Sequence, residues 1–142
     1  MKACLSFSDI LEFGRPQIDE MKRVGESYPG PEIPEACIAF TRQVNLVEGI
    51  VLQSYKVAAT LARKTDDLSE VAEIWSMMSQ FCHCALEVLT GLKGKYPHCG
   101  TNELYDMVLD YKLAADKRYK GVSEELTCQK TEFPKGLLPE LS

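Results

Sequence analysis

Residues 34–92 read PEACIAFTRQVNLVEGIVLQSYKVAATLARKTDDLSEVAEIWSMMSQFCHCALEVLTGL, and this stretch decides the fold. Its apolar and small residues recur in a 3-4 alternation: Cys37, Phe40, Val44, Val47, Val51, Ser54, Ala58 and Leu61. That spacing places them on one face of a helix. Pro34 suits its first turn, and Arg63-Lys64 suit its C-terminal end. Ala36, Ile50 and Val57 widen the apolar face, so the helix is predicted to pack against two neighbours.

Thr65-Asp66-Asp67 is a polar turn with capping residues. A second helix is predicted from Leu68 to Leu92, with the stripe Leu68, Val71, Trp75, Met78, Cys82, Ala85, Leu89 and Leu92. So short a turn makes the two helices antiparallel neighbours. Trp75 would then face Val57 or Ala58, Met78 would face Ser54, and Leu92 would face Phe40. Lys93, Gly94 and Lys95 form the exit, and Tyr96 to Gly100 is a loop.

A third long helix is predicted to begin at Thr101 or Asn102. Its stripe is Leu104, Val108, Tyr111, Ala115, Arg118 or Tyr119, and Val122. Gly121 kinks or ends it, with a short helical piece to Lys130. Before residue 34 the reading is two short helices: one capped by Ser8-Asp9 and stopped by Gly14, the next running from Pro16 to Glu26. The fold class is therefore all-α, an antiparallel helical bundle of three long helices plus short N-terminal helices. The organisation is an N-terminal arm over 1–33, a bundle core over 34–130 and an extended or disordered tail over 131–142.

At 142 residues and 45% apolar content, the chain can bury one core without metal or disulfide staples. The net charge is −5, and all of it falls after residue 64. No basic run exceeds two adjacent residues, so nucleic acid is not an expected partner. The longest uncharged stretch, Ile74 to Leu86, is too short to span a bilayer, which needs ~20 residues, so no membrane span is expected. Asp9 interrupts the apolar start, and a cytoplasmic location with reduced thiols is expected.

Cys82-His83-Cys84 and Pro97-His98-Cys99 hold the densest ligand chemistry, since zinc prefers nitrogen and sulfur donors. Side chains two residues apart on a helix diverge by about 200°. No metal or other cofactor is therefore expected, and Cys84, His98 and Cys99 are the only candidate ligands. Ser79, His83 and Glu87 repeat at i, i+4 and i+8, yet they lie on a polar face without an oxyanion hole. No catalytic residues are assigned. Glu-x-x-His motifs, needed for a di-iron bundle, are absent. The acidic groups Asp66-Asp67-Glu70-Glu73 and Glu103-Asp106-Asp110 sit at helix starts, where the dipole favours them.

Tyr105, Leu109, Tyr111 and Tyr119 form a candidate interface on the last helix, since Tyr offers apolar area with a polar tip. Trp75, Met78 and Phe81 would line a ligand pocket if the helices left one. The leading expectation is a non-catalytic protein-interaction module that binds a protein partner or itself. The alternatives are a thiol-dependent enzyme or metal or redox sensor using His98-Cys99 beside Lys95, and a small-ligand binder between helices.

Overall fold

The computed structural model describes residues 6–92 and 97–137, with Pro97 and residues 130–137 described by their backbone alone. Four helices pack against one another: α1 (Phe7–Glu26), α2 (Pro34–Lys64), α3 (Leu68–Leu92) and α4 (Thr101–Leu137). A short 3-10 turn, Pro97–Cys99, leads into α4. No strand occurs among the described residues. No helix among them is long and apolar enough to cross a membrane.

The N-terminal segment differs from the sequence reading. It is one 20-residue helix rather than two short ones. Ser6, not Ser8-Asp9, caps it, accepting from the Asp9 amide at 3.0 Å while the Asp9 carboxylate accepts from the Ser6 amide at 3.3 Å. Phe7, Leu11, Gly14, Ile18, Met21 and Gly25 are its buried positions, a strict 4-3 alternation that carries the helix through both breakers. Pro16 lies on the exposed side, where water can serve the carbonyl that loses its amide partner. Gly14 is there for contact. A Cβ at this position would lie 2.6 Å from the Phe81 ring and 2.8 Å from Ile50. Gly25 repeats the device one end further on, against Leu92 and Phe40.

Helix α2 begins at Pro34 without a side-chain cap and buries Phe40, Val44, Val47, Ile50, Val51, Ser54 and Ala58. Ser54 is fully buried and donates to the Ile50 carbonyl at 2.7 Å, so its hydroxyl is satisfied inside the core. In the turn to α3, the Thr65 hydroxyl donates to Glu70 at 2.7 Å, and Asp67 accepts from the Ser69 amide at 2.9 Å. Asp67 therefore serves as the cap of α3.

Helix α3 is the central element and packs on all three others. It buries Val71, Trp75, Met78, Phe81, Cys82, Ala85, Leu89 and Leu92. Tyr55 tilts against Trp75 at 5.4 Å, and the Arg118 guanidinium lies 5.1 Å from the Trp75 ring. Helix α4 runs past Gly121 and Pro134 to Leu137. The tail expected over 131–142 thus begins inside this helix, and its last five residues lie outside the described ones. The same holds for the Lys93 to Tyr96 loop.

Glycine substitutions of opposite sign test this packing. Gly14→Ala should destabilise by about 1–3 kcal/mol, because the added methyl overpacks the Phe81 contact. Gly121→Ala, with nothing within 4 Å of the new Cβ, should stabilise by up to ~1 kcal/mol through helix propensity. Urea unfolding followed by circular dichroism measures both.

Candidate functional site

The chain turns sharply after α1, with Gly30 at φ +124°. Tyr28 stands at the start of that turn, its amide bonded to the Gly25 carbonyl at 3.4 Å. Its ring packs on Phe40 of α2 at 5.2 Å and faces His98 at 5.6 Å. The Cys37 amide bonds to the Ile33 carbonyl at 3.1 Å in the first turn of α2. Spacing of three and seven residues places Cys37 on the same face as Phe40 and Val44. His98 and Cys99 arrive from the turn between α3 and α4. Gly100, at φ +86°, then bends the backbone into α4, and its carbonyl accepts from the Leu104 amide at 3.0 Å.

These segments bring four polar groups together. The Tyr28 hydroxyl and His98 Nε2 share a hydrogen bond of 2.7 Å. The Cys37 and Cys99 sulfurs are 4.0 Å apart. The donor atoms of Cys37, His98 and Cys99 all lie within 4.8 Å of one another. Cys99 is buried, Cys37 is half-buried and His98 is exposed. Burial pushes the Cys99 thiol up, only partly offset by hydrogen bonds from Thr41 and Tyr28. Burial also pushes the Tyr28 phenol up, and its contacts with Cys37 and Cys99 add to this.

Of the ligands considered from sequence, His98 and Cys99 come together and Cys84 is not with them. Cys84 lies on α3 beside Arg15 of α1, whose Nη1 is 3.5 Å from the sulfur. It borders a cleft of about 340 Å³ shared with Ile18, Lys22 and Glu87. The third member of the cluster is Cys37, which the sequence shows only as one apolar position of the α2 stripe. Sixty-two residues separate it from Cys99, so no local motif links them. Lys95, the cation expected beside Cys99, lies outside the described residues.

Ser79, His83 and Glu87 do not form a relay. The Ser79 hydroxyl donates to Asp116 of α4, while His83 and Glu87 form an exposed pair at 3.4 Å. Asp116 also accepts from Lys112 at 2.7 Å. Burial raises the Asp116 pKa, but the bonds from Lys112 and Ser79 outweigh it and hold the carboxyl below its usual range.

Trp75, Met78 and Phe81 are all buried in the core. Trp75 lines a surface groove of about 600 Å³, beside Ala62, Arg118 and Val122. On α4, Tyr105 and Leu109 are half-buried. Tyr111 stacks on Tyr55 at 4.5 Å, and Tyr119 is 42% exposed. Comparison with protein-family models, curated proteins and solved structures finds no match to this chain.

Thiol reactivity should follow these environments. Burial pushes the Cys82 thiol up to about 12, so it stays protonated and unreactive at neutral pH. Cys128 is exposed. Among the described cysteines, timed iodoacetamide labelling read by peptide mass spectrometry should therefore mark Cys128 first, and Cys82 and Cys99 last.

Proposed function

We propose that this chain is a non-catalytic helical protein-interaction module that associates with a second copy of itself through the outer face of α2. The observation that carries this reading is the exposure of Ile38 (51%), Leu46 (41%) and Leu52 (36%) on that helix. With 100° per residue, the three fall within a 120° sector, which they share with the exposed Arg42, Asn45, Gln53 and Lys56. Gly49 lies inside the sector, with nothing within 4 Å of where its Cβ would be. That flat spot suits the close approach of another helix. In this reading α2, α3 and α4 run antiparallel. The α3–α4 partners support it: from Trp75 to Ser79 along α3, the α4 partner steps back from Arg118 to Asp116.

Of the α4 residues considered for an interface, Tyr119 keeps the exposure that role needs. Tyr105 and Leu109 keep part of it, and Tyr111 is engaged by Tyr55. A protein partner at α4 is the second arm of the same proposal. A cytoplasmic setting belongs to it too, supported by five thiols that stand free among the described residues.

Sedimentation across a concentration series tests the reading. The expected result is a monomer–dimer equilibrium that Leu46→Glu weakens roughly tenfold or more, the loss of ~1.4 kcal/mol or above, with helicity unchanged. The same loss from Tyr119→Ala, with Leu46→Glu silent, moves the interface to α4. A strict monomer at every concentration overturns self-association.

A further inference from the structure

We propose that Cys37, His98 and Cys99 bind one zinc ion, which ties the start of α2 to the turn between α3 and α4. Two thiolates and an imidazole are a donor set that suits zinc and disfavours the hard cations magnesium and calcium. The geometry agrees. With Zn–S near 2.3 Å and tetrahedral angles, two sulfurs bound to one ion sit about 3.8 Å apart. Cys37 and Cys99 are 4.0 Å apart, so they need almost no movement. A disulfide would require them to close to about 2.05 Å. The imidazole lies within 4.8 Å of both sulfurs, and a ring rotation on an exposed residue covers the remainder.

The surroundings supply what a metal site needs beyond its ligands. His98 is exposed, which gives an ion its entry path. Cys99 is buried, which shields one thiolate from solvent and from oxidants. The Tyr28 hydroxyl stands beside the cluster, bonded to His98 Nε2 at 2.7 Å, and such an outer donor orients a ligand once it is metal-bound. The Tyr28 hydroxyl now on His98 would pass to a sulfur as the imidazole turns to the ion. Three protein donors leave a fourth position for water or for a group from a bound partner. The two thiol protons leave as the ion enters, so no oxidant or reductant is required.

The test is titration of the full-length, fully reduced protein with zinc, and with cobalt(II) as a spectroscopic probe. The expected result is one ion per chain. The cobalt form should show thiolate charge-transfer bands and the strong visible bands of tetrahedral coordination. His98→Ala changes an exposed residue, and Cys37→Ser a half-buried one, so both variants should stay helical. Each should weaken binding at least tenfold, and Tyr28→Phe should weaken it less. Cys84→Ser should leave it unchanged. Zinc should raise the melting temperature of the wild type but not of Cys37→Ser. The proposal is overturned by the absence of a stoichiometric ion, by octahedral cobalt bands, or by binding that survives Cys37→Ser and His98→Ala. Loss of binding in Cys84→Ser also overturns it, by moving the ion to α3.

Discussion

The seat of the Phe81 ring on the bare backbone of Gly14 is the contact on which the rest of the packing depends. Phe81 is fully buried at the middle of α3, and Ile50 of α2 closes on the same glycine. A side chain at that point would force the ring to shift, since its Cβ would lie 2.6 Å from the Phe81 ring. Three helices therefore share one contact at close range. Burying a ring of this size contributes on the order of 2–3 kcal/mol, more than the conformational cost of a glycine within a helix. The other side of α3 meets α4 through polar and cationic partners, Ser79 with Asp116 and Arg118 over Trp75. Beside these partners α4 adds Leu104, Val108 and Ala115 to the same buried core.

The same packing explains why the N-terminal segment is a single helix. Gly14 and Pro16 are strong local stop signals, and read alone they cut the segment in two. The alternation from Phe7 through Leu11, Gly14, Ile18 and Met21 to Gly25 is equally plain in the sequence, provided that glycine counts as a core position. Local propensity costs about 1 kcal/mol at a glycine and ~3 kcal/mol at an interior proline. Continuous burial of Phe7, Leu11, Ile18 and Met21 is of larger magnitude, and Pro16 faces water, where its freed carbonyl is solvated. In α2 and α3 propensity and stripe agree, and there the helix limits match the pattern from Pro34 to Lys64 and from Leu68 to Leu92.

Chain ends and junctions behave differently from helix faces. Tyr28, Cys37, His98 and Cys99 come from the α1–α2 turn, the first turn of α2 and the α3–α4 turn. Each residue looks ordinary where it stands. Cys37 continues an apolar stripe, Tyr28 precedes a Pro-Gly-Pro break, and His98 and Cys99 sit in a short connection. Cys84 stands on α3 beside Arg15 of α1, about two turns before that helix ends at Leu92. Proximity in sequence to Cys82 and His83 says nothing about which thiols meet.

What the sequence by itself determined is the helical class and the long apolar stripes of α2 and α3. Those are consequences of periodicity, which is local and survives without knowledge of neighbours. Only the tertiary structure decided that α1 is continuous, that Gly14 is a contact surface, and that Cys37 rather than Cys84 joins His98 and Cys99. The physical reason is the same in each case. These outcomes depend on which groups are brought within a few ångströms of one another across dozens of residues, and side-chain spacing along one helix carries no information about distance between helices.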